Sequence, residues 1–190
     1  MSRTKKIVSL AIAMALVLAV MVVGIYAAQR ASVSANGTAT FTGEDVLATI
    51  TMTSTPGSYA EGADADGTSI KIDANGNVEW GGDSEFNLGA LKMVYSVKAY
   101  TYIFTVTNDH GTNAMLMTID DSALADINIE GQISADVVCS EAEGVTDSGD
   151  SWTIESGKTA TLTLTINLES VESDIDVDAF GFSISLAQAE

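Results

Sequence analysis

Residues 31–42 read ASVSANGTATFT, twelve residues of unbroken alternation. The odd positions are Ala31, Val33, Ala35, Gly37, Ala39 and Phe41; the even ones are Ser32, Ser34, Asn36, Thr38, Thr40 and Thr42. Successive side chains of an extended chain point to opposite faces, so this is a strand with a small apolar face and a polar face. The same period returns in Thr159–Leu168, where Leu162, Leu164, Ile166 and Leu168 oppose Thr161, Thr163 and Thr165. It returns again in Phe180, Phe182, Ile184 and Leu186. Val46–Thr53, Met115–Ile119 and Ile133–Cys139 are further strands. Ser69–Trp80 reads as a hairpin about Asn75-Gly76, a pair that tolerates the positive φ a tight turn needs. Lys92–Thr107 changes its apolar phase near Tyr100, which predicts a bulge or two strands in succession. Asp121–Asp126 reads as one helical turn. Ser54–Thr68, with Pro56, Gly57, Gly62 and Gly67, reads as a mobile surface loop. No long 3.6-residue period is present. Eight to ten short strands predict an all-β fold, an antiparallel β-sandwich of jelly-roll or Ig-like type.

Composition narrows the function. The 190 residues hold 8 Lys+Arg and 26 Asp+Glu, a net charge of −18. Arg3, Lys5 and Lys6 precede every acid, so the chain from Ala28 onward carries 5 − 26 = −21. Such a body repels nucleic acid and anionic headgroups, which excludes both as partners. One His and one Cys give little for a zinc site, a His-based catalyst or a disulfide framework. No enzyme activity and no resident cofactor are expected. Cys139 is read as a buried small hydrophobe.

The N-terminus is of another kind. Ile7–Ala28 is a 22-residue apolar stretch behind three basic residues, with only Ser9 and Tyr26 as polar groups. That pattern predicts a signal peptide over residues 1–27, cut between Ala27 and Ala28, or a retained N-terminal anchor helix over residues 7–28. Val33-Ser34-Ala35 offers a second cleavage point. Either outcome places the body outside the cytoplasm, secreted or at the cell surface, touching a membrane only through residues 7–28 if uncut. Residues 28–45 then form an N-terminal strand segment and 46–190 the sandwich domain.

Few side chains group in ways that carry chemistry. Asp64, Asp66 and Asp73, with Asn75, are oxygen ligands around Gly67 and make a calcium candidate. The twelfth position of the loop counted from Asp64 is Asn75 rather than Glu, so the EF-hand pattern fails, and an acidic solvated loop is the plainer reading. Asp174, Asp176 and Asp178 share one face of an extended chain, as expected of a protected strand edge. His110 lies in an Asn-Asp-His-Gly turn without a catalytic partner. Trp80, Trp152, Tyr95, Tyr100 and Tyr102 are core aromatics or a sugar-stacking platform. Asn36-Gly37-Thr38 is a glycosylation sequon.

Several motifs together resemble the TasA/camelysin family of secreted bacterial biofilm-matrix fibre proteins. Lys5-Lys6 and the apolar stretch ending Gly24-Ile25-Tyr26-Ala27-Ala28 look like that family's leader. Ala39-Thr40-Phe41-Thr42-Gly43 looks like its approach to the first body strand. Phe104-Thr105-Val106-Thr107-Asn108 with Gly111 resembles its strand-Asn-turn element. Ile154-Glu155-Ser156-Gly157-Lys158-Thr159 resembles the entry to its penultimate strands, with Ser156 where Pro is usual. Gln29-Arg30-Ala31 departs from the step usual after the family's cut. The resemblance implies a jelly-roll subunit that polymerises with copies of itself, the N-terminal strand of one completing the sheet of the next. The donated side chains would be Ala31, Val33, Ala35, Ala39 and Phe41. Other matrix or surface proteins are further implied partners. A membrane-anchored surface domain, pilin-like or binding carbohydrate or calcium, is the rival expectation.

A body at −21 opposes its own association. Screening shortens from about 10 Å at 0.1 M salt to about 3 Å at 1 M. Assembly is expected to rise with salt, with divalent cations, and with acidification toward the pI of about 4.1. Light scattering that stays flat across those conditions would contradict self-association.

Overall fold

The computed structural model describes residues 32–44, 46–54, 60, 63–64, 67–72, 85–94, 99–140, 142–149, 151–170 and 174–189. The leader, its cleavage point at Ala27 and Ala28, the anchor helix, Ala31, Asp66, Asp73 and the Asn75-Gly76 turn lie outside these residues.

Among the described residues eleven strands follow one another: β1 (Ser32–Glu44), β2 (Ala48–Ser54), β3 (Ser69–Ile72), β4 (Glu85–Val94), β5 (Ala99–Asn108), β6 (Met115–Asp120), β7 (Ile133–Ser140), β8 (Val145–Asp147), β9 (Ser151–Ile154), β10 (Thr159–Leu168) and β11 (Ile175–Gln188). Among the described residues a single 3-10 turn, Ser122–Asp126, joins β6 to β7. Sheet A runs β4-β1-β11-β6-β9-β8 and sheet B runs β3-β2-β5-β10-β7. All pairings are antiparallel except one: β1 lies parallel to β11. The expected all-β class is what the chain adopts.

The alternation of the sequence becomes the two-sidedness of the sheets. In β10, Ala160, Leu162, Leu164, Ile166 and Leu168 are buried. In β11 the buried set is Phe180, Phe182, Ile184 and Leu186. The two inner faces meet through phenylalanines. Phe104 of sheet B lies 5.6 Å from Phe41, 5.6 Å from Phe86 and 5.4 Å from Phe182, all of sheet A. Phe41 stands edge-on to Phe86 at 5.5 Å. Tilted and edge-on pairs place a positive ring edge against a negative face, adding about 0.5–1.5 kcal/mol per pair beyond burial.

The phase change near Tyr100 marks two strands in different sheets: β4 belongs to sheet A and β5 to sheet B. Within β4 the register against β1 slips by one, Gly37 facing Gly89 and Thr38 facing Asn87. Gly89 takes a φ of 78°, which suits a residue without Cβ. The bulge turns Phe86 and Leu88, and then Leu91, all inward despite their opposite parity. Sequence alternation alone hides the first half of this strand.

Much of the segment 54–68, expected as a mobile surface loop, lies outside the described residues. Its described residues are held in place: Gly67 N–H donates to Met52 O, Met52 N–H to Thr68 O, and Asp64 N–H to Asn87 O, each at 2.9 Å. Ala60 is 2% exposed.

The parallel pair β1–β11 needs two glycines. A Cβ on Gly37 would fall on the Phe180 ring, and one on Gly181 would sit 2.5 Å from the backbone oxygen of Thr38. Gly37→Ala and Gly181→Ala are expected to destabilise by about 1–3 kcal/mol, the usual cost of overpacking. Gly111→Ala, where a Cβ meets nothing within 4 Å, should change stability by less than about 0.5 kcal/mol. Urea unfolding of the three variants checks the order.

Candidate functional site

The feature that stands out is where the first strand lies. β1 is not at an edge. It is wedged between β4 on one side and β11 on the other. Its pairs with β4 run from Ser32↔Val94 to Thr40↔Glu85, and with β11 from Val33↔Ile175 to Glu44↔Ala187. Ala35, Gly37, Ala39 and Phe41 point inward and are buried, while Ser34, Asn36, Thr38 and Thr42 are exposed. Of the expected donated side chains, Ala35, Ala39 and Phe41 therefore share one buried face. Val33 shares the ladder opposite Ile175 and Met93. Ala31 lies outside the described residues.

Small inward groups let the neighbours close over the strand. Phe86 and Phe182 flank Ala39 in register, and Phe180 covers Gly37. Phe41 is the one large knob on this face. All five phenylalanines of the chain bear on β1 or on the cluster Phe41 completes.

β4 is attached to sheet A through β1 alone. Its outer edge is held from sheet B and from the 54–68 segment. The Tyr100 hydroxyl accepts from Lys92 N–H at 3.2 Å and donates to Lys92 O at 3.0 Å. The Tyr102 hydroxyl donates to Leu88 O at 2.6 Å and accepts from Ala60 N–H at 3.1 Å. Asp64 Oδ2 accepts from Asn87 N–H at 2.7 Å. These contacts tie β4 to the body without help from β1. Without β1, the gap between β4 and β11 would be about two strand spacings, roughly 9–10 Å.

The other candidate residues have structural duties. Asp64 closes a two-way backbone bridge with Asn87, so its carboxylate is committed, and among the described residues no three His, Cys, Asp or Glu side chains come together to hold a metal. Tyr100 and Tyr102 are buried, with hydroxyls that pin β4, and so form no sugar platform. Trp152 is partly buried in β9; Trp80 and Tyr95 lie outside the described residues. Asp174 is exposed, and the side chains of Asp176 and Asp178 lie outside the description. Cys139 is half-buried rather than fully buried, because it sits near the end of edge strand β7. Burial, with the charge of Asp147, pushes its thiol up to about 11, which leaves little nucleophilic thiolate.

The Asn108 turn is a polar hub. Asn108 is fully buried; its Nδ2 donates to Asn113 O and Ile154 O, each at 2.9 Å, and its Oδ1 accepts from His110 N–H at 3.0 Å. His110 Nδ1 in turn accepts from Thr112 N–H and Asn113 N–H. Ser156 Oγ donates to His110 O at 2.6 Å. His110 organises a turn, and the imidazole is occupied in doing so. Sequence reasoning named Asn108 only as part of a motif; its signal is a lone amide closing an apolar-alternating strand.

No family model and no curated protein matches this chain. Among solved structures the chain is similar to the yeast delta-COP-I mu-homology domain at 10% identity, over 85% of this chain and 96% of that one, with a TM-score of 0.17. A likeness that slight carries no argument.

Asn108→Ala is expected to cost about 2–4 kcal/mol, since it leaves two carbonyls and one N–H without partners. Asn108→Asp should cost at least as much, because a carboxylate would face two carbonyl oxygens. His110→Ala should cost about 1–2 kcal/mol through two orphaned N–H groups. Calorimetric melting of the three ranks them.

Tyr102 also gives a pH signature. Burial pushes its hydroxyl up to about 12 from 10.0. The folded chain therefore keeps this proton where the unfolded chain loses it. The contribution is full below about pH 10 and is lost as pH rises from 10 toward 12. Cys139 acts in the same sense between 9.0 and about 11. In a Cys139→Ser background, Tyr102→Phe should lower stability at pH 7 by about 1–3 kcal/mol. It should also flatten the fall between pH 10 and 12, and an unchanged slope would contradict this assignment.

Proposed function

We propose that the chain is a secreted structural subunit of an extracellular matrix or surface fibre, assembling by donation of its N-terminal strand to the next copy. One observation carries the reading: the first strand among the described residues lies inside a sheet, between β4 and β11, rather than at an edge. With the leader cut at Ala28, this strand would stand at the start of the mature chain and be joined to the rest of the described body through residues 45–47. The neighbour's equivalent slot offers the same backbone partners and the same aromatic walls. Exchange of an identical element between copies therefore conserves every contact and adds connectivity. The pins on β4 favour a slot that keeps its outer wall while the strand is away. Among the described strands, eight of ten connections cross between the sheets, which favours a jelly-roll over an Ig-like arrangement. The resemblance of the leader and of residues 39–43 to TasA/camelysin proteins points the same way. Among the described residues no catalytic arrangement supports an enzyme.

A second reading keeps residues 7–28 as an anchor and the body as a cell-surface domain. The 22 uncharged residues favour it. The mass of the purified protein separates the two: a mature N-terminus at Ala28 removes the anchor, and an intact leader removes simple donation. Calcium and carbohydrate binding lose support from the duties of Asp64, Tyr100 and Tyr102.

Phe41→Asp puts a carboxylate into the slot at a cost of several kcal/mol and is expected to abolish fibres seen by electron microscopy. Thr42→Asp, on the exposed face, should leave them. Excess synthetic peptide of residues 31–42 should cap growing ends and shorten fibres. Fibres that form equally with Phe41→Asp and with added peptide would refute strand donation.

A further inference from the structure

β7 is the outer strand of sheet B, and its outward edge is closed over only half its length. Ile129 N–H donates to Ile133 O and Ile133 N–H to Ile129 O, at 3.0 and 2.9 Å. The Asn128 side chain takes the next pair of groups: Nδ2 donates to Ala135 O at 3.0 Å, and Ala135 N–H donates to Oδ1 at 2.5 Å. Ladder alternation turns the N–H and C=O of Val137 and Cys139 outward in the same way. No described strand pairs with them. Between them stands Val138, 54% exposed, the most exposed large apolar side chain among the described residues.

The other edges are managed. β4 is capped by Tyr100, Tyr102 and Asp64, and β3 and β8 have four and three residues. The open half of β7 has no Pro, no Lys and no bulge to discourage pairing.

We propose that residues 136–140 pair antiparallel with the same residues of a second copy, about a two-fold axis at Val138. The open stretch fits its own copy. Asp136 faces Ser140 of the second copy, Val137 faces Cys139, and Val138 faces Val138, so no carboxylate opposes another within the ladder. The outward groups of Val137 and Cys139 exchange hydrogen bonds. The two Val138 side chains meet in the closer, non-hydrogen-bonded kind of pair. The Asn128 plug on one side and the turn closed by Val145 N–H to Ala142 O on the other limit the contact to five residues. Such a contact is weak alone and effective where copies repeat along a fibre. It acts laterally, through sheet B. It does not depend on strand donation, which uses sheet A.

The test is disulfide trapping in the protein expressed from its full sequence and processed by the cell. In a Cys139→Ser background, Val138→Cys would place two thiols across the axis with Cα atoms about 4.5 Å apart, within disulfide range. Asp136→Cys would place them four residues apart along the ladder, about 13 Å. Under mild oxidation the first variant is expected to give about tenfold more dimer than the second, and more at about 1 M salt than at 0.1 M. Equal yields, or a Val138→Cys protein that stays monomeric, would overturn the pairing. Monomers suffice for this readout, so it stands even if fibres prove to grow without strand donation. Where fibres form, Val138→Lys should leave their length unchanged and separate their bundles into single filaments.

Discussion

The continuity of one sheet rests on a single strand that the chain supplies first. β4 reaches sheet A only through β1, and β1 is held by Phe41 standing among Phe86, Phe104 and Phe182. The rest of the inward face of β1 is small by necessity, because Phe180 occupies the space above Gly37. One large side chain and three small ones thus fix both the register of the strand and the contact between the two sheets. Removing Phe41 would expose three aromatic faces at once, and large-to-small changes in such cores cost about 3–5 kcal/mol.

Polar side chains do a second job, closing backbone that no strand covers. Tyr100, Tyr102 and Asp64 satisfy the outer edge of β4, Asn128 half of β7, and Asn108 the ends of three segments around the 108–113 turn. Buried or sheltered backbone groups without partners cost about 1–3 kcal/mol each, so each closure secures an element that apolar contact alone would leave loose. The ion pair Glu143–Lys158 at 2.9 Å is exposed and adds little by comparison.

The strands that alternate cleanly were legible in the sequence: 34–42, 159–168 and 180–186 have one buried face, and that face needs only a period of two to be seen. The helical turn after Asp121 was legible as well. The first half of β4 was not, because the bulge at Gly89 breaks its parity. β8 and β9 were not, since three or four residues cannot show a period. Tyr100 and Tyr102 read as core, which they are, but the carbonyls their hydroxyls reach belong to a strand in the other sheet. No local pattern encodes that. Cys139 looked like a core residue because its parity is right, yet edge placement halves its burial. The slot itself was half visible: the strand that fills it announces its small face, while its place between β4 and β11 is set by pairing across most of the chain.

The direction of β1 against β11 has a mechanical side. The two strands run parallel, so the start of β1 lies beside Ile175 and the end of β11 lies beyond Glu44, at the opposite end of the ladder. Tension applied through the residues before Ser32 and after Gln188 therefore pulls the two strands along their length in opposite directions. Every hydrogen bond between them resists together, where a pull across the strands would break them one after another. When the first strand belongs to a neighbouring copy, the load enters it instead at the Glu44 end, through residues 45–47, and draws the strand along its slot against β11 and β4. A filament joined in this way would carry load in shear at each junction, its tensile strength set by the length of the β1–β11 ladder and by the Phe180–Gly37 interlock that keeps the strands from sliding.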